Sequence, residues 1–211
     1  MIPVRRFQGA TSLDLLQGAG WAWIGLHSED GLHRLHGATL DALDRLLIEL
    51  RWSGARRVAL SGAGWMGPGG LGRHFSAGAD LNEVVALTPM SADAFARRGQ
   101  RVMTQLLWPG WRTLTLISGV AMGGGCDLAL HGQERWAVEG LRMAHPAAKH
   151  GILTGFGGTV RLLDLLGPAR ADRLFAALES WDAPMALAGG AVQRILSAEK
   201  SGGAVQRWLE G

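Results

Sequence analysis

The sequence predicts an α/β fold with a largely parallel sheet. Two observations lead there. Strand-like and helix-like segments alternate along most of the chain, an order that layers helices over a parallel sheet. Strands also lead through glycine-rich turns into helices, most clearly where Thr113-Leu114-Thr115-Leu116-Ile117 is followed by Gly123-Gly124-Gly125-Cys126-Asp127.

The elements follow in order. Residues 21–27 are apolar and aromatic and read as a strand. Over 38–52, Leu40, Leu43, Leu46, Leu47 and Leu50 recur at three- and four-residue spacings, the period of an amphipathic helix. A second strand at 57–61 runs into a long glycine-rich loop, 62–73, in which Trp65 and Met66 are candidate ligand or partner contacts. One helix starts near Asp80 and another covers 91–107. After a strand at 113–118, a helix begins near Gly125 and runs through Leu130. Short strands are expected at 135–138 and 141–144, then helices at 157–166 and 168–178, the last marked by Gly167-Pro168. Helices dominate the end, with a strand candidate at 191–195.

With 211 residues and 47% apolar content the chain can bury a sizeable core. Cys126 is its only cysteine, which excludes a disulfide framework and a cysteine-based metal cluster and fits a reducing cytoplasm. No apolar run approaches the ~18–20 residues of a membrane span, and the basic N-terminus lacks a following signal-type apolar stretch. Net charge is +3, carried by scattered arginine pairs such as Arg56-Arg57 and Arg97-Arg98. Nucleic acid is therefore not expected as a partner; a phosphorylated ligand suits the excess of basic groups. No His-Glu-x-x-His spacing occurs, so no metal site is expected. Gly62-x-Gly64-x-x-Gly67 formally matches a dinucleotide fingerprint, but Pro68-Gly69-Gly70 breaks the helix that must follow. The nine tryptophans are dispersed and read as core and interface packing.

Glycines at a strand-to-helix junction let a ligand atom approach the backbone closely. The free N–H groups of the first helical turn then suit a phosphate, a carboxylate or a developing oxyanion. A second such turn, His74-Phe75-Ser76-Ala77-Gly78-Ala79-Asp80-Leu81, has small residues where the backbone must come close. Two turns on neighbouring strands can direct two N–H groups at one oxygen.

These segments resemble the crotonase (enoyl-CoA hydratase/isomerase) superfamily. The resemblance lies in Phe75-Ser-Ala-Gly-Ala-Asp-Leu81, in Gly119-x-Ala-x-Gly-Gly-Gly-Cys-Asp-Leu-Ala-Leu130, and in Gly151-Ile-Leu-Thr-Gly-Phe-Gly-Gly-Thr-Val-Arg-Leu162. The last is similar to the family's Gly-Ile-x-Pro-Gly-x-Gly-Gly-Thr-x-Arg-Leu. It implies a crotonase-like spiral of ββα units over residues 20–182, after an N-terminal extension at 1–19 and before a shortened C-terminal helical segment at 183–211. It also implies a homotrimer or a hexamer, and an acyl-CoA or acyl-carrier thioester as substrate, with no permanently bound cofactor. The thioester oxygen would sit between the Ala79 and Gly124 amides. Ser76, Ala77, Gly78, Ala79, Asp80, Leu81, Gly123 and Gly124 would line the thioester.

The chain departs from the hydratase pattern. Two glutamates act there; this chain has Asp127 at the first position and Ala147 at the second. The third isomerase carboxylate falls at Gly155. Asp127 keeps acid–base chemistry, whereas alanine transfers no proton. His145 lies two residues from the vacant position and shares its facing if the segment is extended; His150, His74 and Glu83 are further candidates. Two function classes result. One is a hydratase- or isomerase-like enzyme working through a stabilised enolate, or a decarboxylase or carbon–carbon bond enzyme of the same fold. The other is a non-catalytic thioester-binding helper.

Overall fold

A computed structural model describes residues 5–7, 9–62, 73–151, 153–175 and 179–211. Loop positions 63–72, with Trp65 and Met66, the end of the helix expected at 168–178, and the His150 side chain lie outside the described residues.

The chain opens with β1 (Arg5–Phe7), β2 (Ser12–Gly18) and β3 (Trp21–His27), then α1 (Gly37–Trp52) and β4 (Arg57–Gly62). The short α2 (Leu81–Val85) and long α3 (Pro89–Leu106) lead to β5 (Arg112–Ile117), β6 (Val120–Met122) and α4 (Gly124–Leu130). Then come β7 (Glu134–Val138), β8 (Arg142–Ala144), a 3-10 turn at Pro146–His150, α5 (Gly158–Leu166) and α6 (Pro168–Phe175). The end is β9 (Trp181–Asp182), α7 (Ala183–Gly189), β10 (Arg194–Leu196) and α8 (Ala198–Glu210).

Seven strands form one sheet in the order β1-β2-β3-β4-β5-β7-β10. From β3 onward every pairing is parallel, as the strand–helix alternation predicts; β1, β2 and β3 pair antiparallel. Side chains alternate between the two faces. Ala22, Ile24, Leu26, Val58 and Leu60 point into the main core, where the five leucines of α1 also pack. Trp23, Ala59, Leu114, Leu116 and Trp136 point the other way and are covered by Val205 and Leu209 of α8. The last helix therefore closes the sheet face opposite α1 and α4. It does not lie over the glycine-rich turns.

Several short strands, β2 and β6 among them, were not visible in the sequence pattern, and the strand expected at 191–195 begins later. β2 lies ahead of residue 20 yet pairs with β3 along its whole length, Ser12 opposite His27 through Gly18 opposite Trp21. β6 intervenes between β5 and α4: the chain leaves the large sheet after Ile117 and joins a small one of order β6-β8-β9. β10 begins at Arg194 rather than at 191, because the Ala191 and Val192 amides still bond to the Ala186 carbonyl of α7.

Candidate active site

The turn after residue 75 is stitched to β6. Ser76 N donates to Val120 O at 3.1 Å and Ser76 O accepts from Met122 N at 3.0 Å. The Ser76 hydroxyl, fully buried, donates to His33 O at 2.7 Å and accepts from Gly78 N at 3.1 Å. Gly78 has φ +89°, and a Cβ there would lie 3.2 Å from Gly124 N. Only glycine adopts that conformation this close to another backbone without strain.

The facing turn is equally constrained. Gly123 is the N-cap of α4 with φ 50° and ψ −121°, and its amide donates to Ala144 O of β8 at 2.9 Å. A Cβ on Gly124 would lie 3.7 Å from Ala79 N and 2.6 Å from the Phe156 ring, and one on Gly125 would meet the Ser76 side chain at 2.9 Å. The three glycines thus let α4 start against the Ser76–Ala79 turn. The Ala79 and Gly124 amides border the same small space, and neither donates to an acceptor among the described residues.

Other residues of the first turn have local duties. Ala77 N donates to Leu32 O at 2.8 Å. The Asp80 carboxylate caps α2, accepting from Asn82 N at 2.9 Å and Glu83 N at 3.1 Å, with Arg34 Nε 3.7 Å away. The Leu81 side chain is exposed.

Asp127 sits in the first turn of α4 and has no solvent exposure. The Thr154 hydroxyl donates to its Oδ2. The amide of Gly158, first residue of α5, faces the carboxyl so closely that a Cβ on Gly158 would collide with it. Burial pushes the Asp127 carboxyl up to about 7, against the opposing pull of the Thr154 hydroxyl and the Gly158 amide. His145 Nε2 lies 3.7 Å from Asp127 Oδ1, and burial pulls the imidazole down to about 4. The pair is thus a carboxyl poised near neutrality beside a neutral imidazole. Such a carboxyl can both give and take a proton at pH 7.

His145 does not share the facing of Ala147 through an extended segment. The 3-10 turn starts at Pro146, with Ala148 N donating to His145 O at 3.1 Å, so the bend intervenes and His145 meets Asp127 by itself. Two other candidates are committed elsewhere. His74 Nδ1 accepts from Val120 N at 3.2 Å, and the Glu83 carboxylate accepts from Gly37 N at 3.1 Å, capping α1. At Gly155 the carbonyl accepts from Gln100 Nε2 at 2.8 Å, and no carboxylate is there.

Three contributors escape a reading of motifs alone. Thr154 is one; the signal was a hydroxyl residue where the family segment has proline. Gly158 is the second. Phe156 is the third: its ring is buried at 3% exposure, packs on Phe95 at 5.3 Å between centroids, and fills the space beside Gly124 and Gly99. A separate surface hollow of about 230 Å³ is lined by Arg170, Arg173, Trp181 and Met185 among others, and by none of these residues.

The chain has known relatives. The chain is 30% identical over 176 residues to a short-chain-enoyl-CoA hydratase of Clostridium acetobutylicum, covering 83% of this chain and 65% of that protein. It is 33% identical over 128 residues to a crotonyl-CoA hydratase of Syntrophomonas wolfei, covering 61% of this chain and 49% of that one. The chain thus spans about half to two thirds of the length of these relatives. The solved structure of Pseudomonas aeruginosa DspI matches with a TM-score of 0.84 at 29% identity, over 94% of this chain and 73% of that one. The family model described as enoyl-CoA hydratase/isomerase matches residues 68–210, which take in both glycine-rich turns, Asp127 and α5. By that match the chain belongs to the enoyl-CoA hydratase/isomerase family.

Proposed function

We propose that the protein acts on an acyl thioester, of coenzyme A or of an acyl carrier, through an enolate whose oxygen accepts the Ala79 and Gly124 amides. The observation that carries this is the pair of amides without acceptors, brought together from two separate turns. A thioester carbonyl supplies the missing acceptor. As negative charge develops on that oxygen, two fixed donors stabilise it more than they stabilise the neutral carbonyl.

Asp127 is the acid–base group of this proposal. In hydration its ionised form takes a proton from water as the water oxygen bonds to the β carbon, and its protonated form returns that proton to the α carbon of the enolate. In isomerisation the proton leaves the α carbon and returns at the γ carbon as the double bond moves. One carboxyl near neutrality serves both steps, which offsets the loss of a second carboxylate at Ala147 and suits hydration or isomerisation of an enoyl thioester. His145 is the partner group that faces the same carboxyl oxygen. Turnover of crotonyl-CoA, lost in Asp127→Asn and raised in Ala147→Glu, is the expected result. No turnover in any of the three proteins contradicts the catalytic reading.

A second reading has its own support. Asp127 has no exposure, and Phe156 closes the side of Gly124. A helper that binds the thioester without converting it fits a sealed carboxyl. Thermal stabilisation by acyl-CoA without turnover favours it; a ligand at 100 times its Kd stabilises the fold by ~2.7 kcal/mol. Assembly as a trimer or pair of trimers belongs to the same proposal. It is supported by the exposed apolar side chains Val160 and Leu163 on α5, and sedimentation tests it.

A further inference from the structure

The two oxygens of the Asp127 carboxyl have different surroundings. Oδ2 accepts the Thr154 hydroxyl, whereas Oδ1 is buried against the backbone of Gly158 and accepts no side-chain hydrogen bond among the described residues. The Thr154 hydroxyl also has a preferred direction. Its oxygen accepts the Phe156 amide at 3.4 Å, which leaves its single proton for Asp127. A carboxyl oxygen already occupied as an acceptor is a poor place for a proton, so a proton on Asp127 goes to Oδ1, the oxygen facing His145.

The remaining side chains do not duplicate this role. From α5 the backbone amide of Gly158 also faces the carboxyl, on the Oδ1 side, and stays in place in every Thr154 variant. On α4 itself the adjacent Cys126 thiol is buried and pushed well up, and so uncharged, while His131 Nδ1 is on the Asp127 backbone carbonyl at 2.7 Å. From the end of β8, His145 is neutral because of its burial. Thr154 is the one side chain among the described residues that donates to the carboxyl. Its position is proline in the crotonase segment, and proline has no hydroxyl.

We propose that Thr154 is a positioning residue for Asp127, fixing Oδ2 as an acceptor and leaving Oδ1 as the oxygen that exchanges a proton. Its kinetic consequences rest on the reading of Asp127 as the acid–base group; the positioning itself does not. Thr154→Val removes the donor at nearly equal size, and Thr154→Ser retains it.

The test follows the infrared carbonyl band of protonated Asp127 in the full chain against pH, the band being identified by its loss in Asp127→Asn. Thr154→Val is expected to raise the midpoint by about one pH unit, the effect of losing a hydrogen bond to a charged group, and Thr154→Ser to restore it. In crotonyl-CoA turnover, the same Val variant is expected to lower kcat by ~10-fold with KM unchanged, and to move the acidic limb of the pH profile upward with the band. An unmoved midpoint in Thr154→Val, or a Ser variant that behaves like Val, overturns the proposal. If Thr154→Val does not fold, Thr154→Ala carries the same expectation. A shifted band with no turnover in any variant upholds the positioning and removes the catalytic reading of Asp127. Turnover that needs Asp127, beside an unmoved band in Thr154→Val, upholds the catalytic reading and removes the positioning.

Discussion

Replacing Asp127 by asparagine tests the electrostatics of the buried carboxyl without reference to any substrate. Asparagine keeps the shape, and its side-chain carbonyl still accepts the Thr154 hydroxyl. In the folded protein, burial pushes the carboxyl up to about 7 from 3.8. Between those two values the folded chain holds a proton that the unfolded chain has lost. Stability therefore falls as pH rises through this window and levels off above it. A shift of about three units corresponds to ~4 kcal/mol in all, or ~1.4 kcal/mol per pH unit within the window. Asparagine does not titrate, so the Asn variant escapes this loss. Urea unfolding of both proteins at pH 5, 6, 7 and 8 measures the difference. From pH 5 to pH 7 the variant is expected to gain about 2.5 kcal/mol on the wild type, and little more by pH 8. Parallel stability curves for the two proteins would mean that Asp127 is already ionised at pH 5, and the acid–base assignment would then lose its footing.

Other outcomes are equally specific. His33, His131 and His145 are each pulled down to about 4 by burial. The unfolded chain then binds protons that the folded chain refuses, so stability is present above pH 6.5 and is lost as pH falls toward 4. Asp127 opposes the three histidines in this window, and acid unfolding followed by potentiometry should take up about two protons net. Gly124→Ala drives a methyl into the Phe156 ring, 2.6 Å from the new carbon. It should cost ~1–3 kcal/mol, lowering Tm by several degrees, and should reduce turnover by ~10²–10³ through the displaced donor. Cys126 is fully buried with its thiol pushed well up. Thiol labelling should therefore track global unfolding in denaturant and be absent in the native protein.

Much of this was legible in the chain because local pattern and final packing agree. The leucine spacing of α1 matches the face it buries, and the apolar runs of β3, β4 and β5 pair parallel as their intervening helices require. The glycines at 78 and 123–125 announce the close approach that brings the Ala79 and Gly124 amides together. What could not be read depends on tertiary partners. β2 buries Leu13 and Leu15 in the main core and Leu16 on the opposite face, so its period-two signal is interrupted by an adjacent leucine pair. β6 has three residues, too few to show any period, and exists because β8 lies beside it. The approach of His145 to Asp127 depends on a bend at Pro146, and the Thr154 contact joins residues 27 positions apart. No spacing rule reaches that far.

The account rests on the Ala79 and Gly124 amides meeting one carbonyl oxygen. Crotonyl-CoA carrying ¹³C at the thioester carbon, bound at saturation and observed by infrared difference spectroscopy, tests this directly. The thioester carbonyl band is expected at lower frequency in the complex than in water, with the shift reduced in Gly78→Ala, whose strained turn displaces the Ala79 amide. A bound thioester absorbing at its aqueous frequency, in a complex shown to be saturated, would contradict it.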